Sequence, residues 1–131
     1  MVRILFRLAQ LILVALLSTL AVADDTDPPV LNAISVDKVT VDVTEGPQTL
    51  TFTVDATDES GINWSAGVNR TGMVLQDADG GYHYATGNSD DPGKLSVTIS
   101  SDDKVGNWRF AFLALTDNRG NRGVFSKSAV E

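Results

Sequence analysis

The sequence predicts an all-β fold, an antiparallel β-sandwich, on three observations. Short segments with an apolar period of two recur at regular spacing, clusters of Gly, Asp, Asn and Pro punctuate them, and no helical period occurs after residue 23. The clearest segment is 49–57, where Leu50, Phe52, Val54 and Ala56 alternate with Thr49, Thr51, Thr53, Asp55 and Thr57. That alternation describes a strand with one wet face, which an antiparallel sheet permits.

Residues 1–23 stand apart from this pattern. Arg3 and Arg7 precede an apolar run over 8–20, and Ala21-Val22-Ala23 supplies small residues just before Asp24-Asp25. This three-part order predicts a helical secretory signal peptide, and hence a mature domain over 24–131 that is secreted or periplasmic. The rival reading is an uncleaved membrane anchor; the run is shorter than the ~20 apolar residues that a spanning helix needs. No later stretch reaches transmembrane length.

In the mature chain, the paired prolines of 24–29 prevent a helix and favour an extended lead-in to a first strand over 30–36. Val39, Val41 and Val43 alternate with Thr40, Asp42 and Thr44, predicting a second half-buried strand before the turn at Glu45-Gly46-Pro47-Gln48. After the 49–57 strand, Asp58-Glu59-Ser60-Gly61 closes with turn-forming residues. Residues 62–76 read as one or two strands, interrupted at Gly67 and Gly72, where a bulge or kink is expected. Residues 77–81 read as a hairpin loop and 82–85 as its short return strand, followed by a polar loop over 86–93. Leu95, Val97 and Ile99 alternate with Ser96, Thr98 and Ser100 in a further strand.

The segment 106–121 organises the rest. Trp108, Phe110, Phe112 and Ala114 occupy one face of a strand, and Leu113 and Leu115 the other. Such a strand is either central and covered on both faces or carries a bulge that moves the register midway. A last strand over 123–130 is expected at a sheet edge.

Composition narrows function. The chain has 17 acidic and 10 basic residues, a formal net charge of −7, and loss of Arg3 and Arg7 with the leader leaves about −9. An acidic surface repels phosphate backbones, so nucleic acid is not an expected partner. The absence of cysteine excludes a disulfide framework, a thiolate metal site and a cysteine nucleophile. His83 is the one histidine, and no serine sits in a nucleophile motif. Paired carboxylates on a small sandwich are better read as solvated or metal-bound than as acid and base, so no enzyme is expected.

Three stretches carry a resemblance: Asp27-Pro28-Pro29-Val30-Leu31, then Val54-Asp55-Ala56-Thr57-Asp58-Glu59-Ser60-Gly61, then Gly106-Asn107-Trp108 leading to Leu115-Thr116-Asp117-Asn118-Arg119-Gly120-Asn121. In this order they resemble bacterial immunoglobulin-like domains of secreted and surface proteins. The resemblance implies a Greek-key immunoglobulin-like sandwich of about seven strands. It also implies a structural or adhesion module, found repeated in adhesins or appended to secreted hydrolases. The cysteine pair of antibody domains is absent.

In such a sandwich the start of the first strand, the loop leaving the second and the loop joining the last two lie at one end. Asp25, Asp27, Asp58, Glu59, Asp117, Asn118 and Asn121 are therefore expected at one pole. Two carboxylates about 5 Å apart repel by roughly 3 kcal/mol at an effective dielectric near 20, so converging acids favour a cation or raised pKa values. Calcium, a hard ion taking six to eight oxygens, is the candidate cofactor. Turn chemistry explains each loop singly, and Arg119 and Arg122 offer neutralisation without a metal.

Asp77-Ala78-Asp79-Gly80 lacks the third acidic position and distal glutamate of a calcium loop and reads as a hairpin turn. His83 reads as a solvent-facing strand residue rather than a zinc ligand. Tyr82 and Tyr84 share one strand face. With Trp64 they give the alternative function, a carbohydrate-binding platform, against the plainer reading of cross-strand packing. Trp64 and Trp108 are expected in the core or at its margin. Asn63-Trp64-Ser65 and Asn69-Arg70-Thr71 match the glycosylation acceptor pattern.

Overall fold

The computed structural model describes residues 24–67 and 70–126. The leader expected over 1–23, Asn69 of the second acceptor pattern and the end of the last strand beyond Ser126 lie outside the described residues. Seven strands follow in order: β1 (Val30–Val36), β2 (Gln48–Thr57), β3 (Gly72–Gln76), β4 (Tyr82–Gly87), β5 (Lys94–Ile99), β6 (Arg109–Thr116) and β7 (Arg122–Ser126). They form one barrel-like antiparallel sheet in the order β1-β2-β5-β4-β3-β6-β7. No helix among the described residues is long and apolar enough to cross a membrane.

The sheet is continuous but unevenly joined. Strand β4 meets β5 through only Thr86↔Ser96 and Gly87↔Leu95, whereas its ladder with β3 runs from Gly72↔Thr86 to Gln76↔Tyr82. This narrow junction separates β1-β2-β5 from β4-β3-β6-β7, and both groups contribute to one core. Val54, Leu95, Val97 and Ile99 come from the first group, Met73, Leu75, Ala85, Leu113 and Leu115 from the second. Leu95, Leu113 and Leu115 are wholly inaccessible. The period-two pattern accounts for this directly, because alternate residues of β2 and β5 carry the apolar side chains and the threonines and serines between them stay on the wet face.

The doubly apolar β6 carries a bulge. Val74 pairs with Phe112 but Leu75 pairs with Phe110, leaving Ala111 as the extra residue. The register resets there, so Phe110 and Leu113 both turn toward the core. Phe112 and Ala114 consequently share the opposite face with Val74. The irregularity falls on β6 and not on Gly67 or Gly72, and among the described residues of 62–71 only Ile62 makes a ladder contact, an isolated bridge to Asp117.

The strand expected around Val39–Val43 does not form. Its place beside β2 is filled otherwise: Asp37 N–H donates to the Thr51 carbonyl (3.0 Å), Thr51 N–H donates to Asp37 Oδ1 (2.9 Å), and Lys38 Nζ donates to the Thr49 carbonyl (3.1 Å). Asp42 then turns the chain by accepting from both Thr44 N–H and Thr44 Oγ1. Val41 and Val43 still pack on the core, while Val39 is 94% exposed. Alternation delivers two side chains inward without a ladder.

Candidate metal centre

Strand ends bring three loops together. Val30, at the start of β1, pairs with Thr57, at the end of β2, and Thr116, at the end of β6, pairs with Arg122, at the start of β7. The β2–β3 loop is stitched to the end of β6 through the Ile62↔Asp117 bridge and its flanking contacts. Two backbone bonds make the bridge, Asn63 N–H donating to the Thr116 carbonyl (2.8 Å) and Asn118 N–H donating to the Gly61 carbonyl (3.0 Å). Asn121 ties in the N-terminal segment by donating through Nδ2 to the Asp25 carbonyl at 3.0 Å.

Within this junction Asp25, Asp58 and Asp117 each offer a carboxylate oxygen, all within 4.8 Å of one another. An ion about 2.4 Å from every ligand can sit among oxygens up to roughly 4.8 Å apart, so the triad is of a size to hold a metal ion. Asp117 is 1% exposed. Its Oδ1 accepts from Arg119 N–H and Asn121 N–H, both at 2.8 Å, and its Oδ2 from Asn121 Nδ2 at 2.6 Å. Burial pushes its pKa up, but the hydrogen bonds from Asn121 side chain and backbone and from the Arg119 and Gly120 amides outweigh it and hold the carboxyl below the ordinary range. The group is an anion at neutral pH.

The other two carboxylates are incompletely engaged. Asp58 Oδ1 accepts from Ser60 N–H (2.9 Å) and Oγ (2.8 Å), and Oδ2 receives no donor from the described residues. Asp25 Oδ1 accepts from Asp27 N–H at 3.2 Å, while Asp25 Oδ2 is buried without a hydrogen-bond partner. A buried carboxylate oxygen left unpaired is costly. No ion pair among the described residues brings Arg119 or Arg122 onto the triad; the pairs present join His83 to Asp77 and Asp103, and Lys104 to Asp79. The donor set, three carboxylate oxygens with a buried unpaired one beside them, could hold a metal ion.

The remaining pole residues take supporting places. Asn118 Nδ2 donates to the Ser60 carbonyl (2.8 Å), bracing the loop that carries Asp58. Asp27 and Glu59 are exposed and stand outside the triad. Among the aromatics, Trp64 packs against the core, whereas Tyr82 and Tyr84 project outward from β4 at 60% and 65% exposure.

A second polar cluster, which the sequence pattern does not predict, surrounds His83. His83 turns inward, half-buried, rather than to solvent. Its Nε2 lies 3.0 Å from Asp77 Oδ2 and its Nδ1 3.5 Å from Asp103 Oδ1, and its ring stacks on Trp108 at 4.1 Å between centroids. The bond from His83, helped by the Gly81 and Asp79 amides and opposed by burial, lowers the Asp77 pKa. The cluster ties the β3–β4 turn to the β5–β6 loop, and Lys104 to Asp79 at 3.4 Å doubles the link. The available signal was alternation: if Tyr82 and Tyr84 take the wet face, His83 must share the inner face with Ala85.

Comparison with known proteins gives no match, whether to a family model, a curated protein or a solved structure.

Proposed function

We infer that this chain is an exported, non-catalytic structural or protein-interaction module with an immunoglobulin-like fold, rigidified by calcium at the pole where the N-terminal segment meets two inter-strand loops. The single observation that carries the reading is the Asp25–Asp58–Asp117 triad with its buried, unpaired Asp25 Oδ2. Three loops donate one carboxylate each, so an ion there cross-links segments far apart in sequence and opposes the separation of the N-terminal lead-in from the body. The strand order supports the immunoglobulin-like reading, since a sheet held by only two pairs between β4 and β5 is weakest at the point where a division into β1-β2-β5 and β4-β3-β6-β7 is expected.

Thermal unfolding of the mature chain in calcium and in chelator tests this. Calcium at a hundred times Kd adds about 2.7 kcal/mol, a midpoint rise on the order of 10 °C for a domain of this size. An identical midpoint in both buffers removes the calcium claim. The second reading is carbohydrate binding, favoured by the outward exposure of Tyr82 and Tyr84 on one face.

A further inference from the structure

The β6 bulge creates a second face. With Met73, Leu75, Leu113 and Leu115 committed to the core, the cross-strand partners between them lie on the outer side of β4-β3-β6-β7. The ladders arrange that side in rows: Tyr82, Gln76 and Arg109; Tyr84, Val74, Phe112 and Ser126; Thr86, Gly72, Ala114 and Val124; and finally Thr116 and Arg122. Val74 and Ala114 are buried, yet neither belongs to the core cluster. Tyr82, Tyr84 and Val124 in the same rows are 60%, 65% and 60% exposed.

Charge distinguishes this face from the rest of the molecule. The chain carries 17 acids against 10 bases, yet no Asp or Glu occupies these rows, whose charged residues are Arg109 and Arg122. Asp79, in the turn beside the first row, is engaged by Lys104. Arg109 is exposed, and its Nε donates to Gln76 Oε1 at 2.7 Å, which fixes the plane of the guanidinium and leaves its terminal nitrogens for a ligand. Tyr82 and Tyr84, two residues apart on one strand, point the same way, with planar hydrogen-bonding groups alongside.

We propose that this face binds an acidic polysaccharide, with Tyr82 and Tyr84 stacking on sugar rings and Arg109 pairing with a uronate carboxylate. The proposal rests on the carbohydrate-binding reading and is independent of calcium. A second copy of the chain is a poorer occupant, because two such faces brought together set arginine against a surface with no acid to receive it. A protein partner docked by hydrophobic contact is also disfavoured, since Val124 is the one large aliphatic side chain prominently exposed here.

The test is affinity electrophoresis of the mature chain through gels containing polygalacturonate, alginate or hyaluronate, beside gels containing dextran or soluble cellulose derivatives without charge, all with chelator present. Folding of every variant is checked by circular dichroism. The expected result is retardation by at least one acidic polymer and by no neutral one, weakened by salt. Affinity should fall about tenfold or more in Tyr84→Ala and in Arg109→Gln, with Arg109→Lys restoring less than half of the loss. Retardation by neutral polymers alone overturns the acidic assignment and leaves the broader carbohydrate reading standing. Retardation by none overturns both. Concentration-dependent dimerisation in sedimentation that Tyr84→Ala abolishes replaces the glycan with a second copy.

Discussion

Asn121 donates its side-chain amide to Asp117 Oδ2 across 2.6 Å and, through the same nitrogen, to the Asp25 carbonyl at 3.0 Å. One residue thus orients a buried carboxylate and fastens the N-terminal segment. Asn121→Ala removes both bonds and leaves Asp117 less satisfied. The expected cost is about 1–3 kcal/mol in chemical denaturation, with increased proteolysis near Asp25. Unchanged stability would show that the clasp carries no weight.

The carboxyl of Asp117 supplies a pH dependence whose sign is fixed by its environment. Its folded pKa is lowered, as are those of Asp77, chiefly through His83, and Asp42, through Thr44. A depressed carboxylate contributes stability that is fully present above its unfolded pKa and is lost as pH falls through the folded one. In chelator the thermal midpoint should therefore hold near neutrality and fall below about pH 4. Added calcium should lose its benefit over the same acid range, since its ligands must be ionised. A midpoint that rises on acidification contradicts the assignment.

Gly61 has φ +83°, and a Cβ there would come within 3.0 Å of Asn118 Nδ2. Gly61→Ala combines backbone strain with displacement of the amide that braces the Asp58 loop, so it should cost upwards of about 1 kcal/mol. It should also weaken calcium binding in a titration. Wild-type affinity in a folded Gly61→Ala protein would mean that the loop position does not matter.

The two valine-and-leucine classes make a sharp contrast in stability. Leu113 is fully buried and its truncation to alanine should cost about 2–5 kcal/mol. Val39, which a strand reading places half-buried, is 94% exposed, and Val39→Ala should stay within about 0.5 kcal/mol. Equal effects would contradict the placement of the 37–47 segment.

That contrast shows where sequence patterning succeeds. Strands such as β2 and β5 were legible because burial on one face imposes a period of two, and β6 because an apolar run on both sides left few alternatives. Val39–Val43 has the same period, but side chains of Asp37 and Lys38 occupy the edge of β2 that its backbone needed, and such local competition leaves no mark on hydropathy. At the pole, topology pointed to loops rather than atoms. The choice of Asp25 over its neighbour Asp27, or Asp58 over Glu59, depends on where an irregular backbone aims each side chain, and that is set by Asn121 and Ser60. His83 was hidden by its polarity, since an inward histidine requires partners from two turns that only the fold brings together.

Diffraction from crystals of residues 24–131 grown in calcium gives the sharpest test of the Asp25–Asp58–Asp117 site. The expected result is an ion within about 2.3–2.6 Å of oxygens from Asp25, Asp58 and Asp117, completed by waters or carbonyls. A water held by the three carboxylates, or Arg119 or Arg122 folded onto them in saturating calcium, would contradict it.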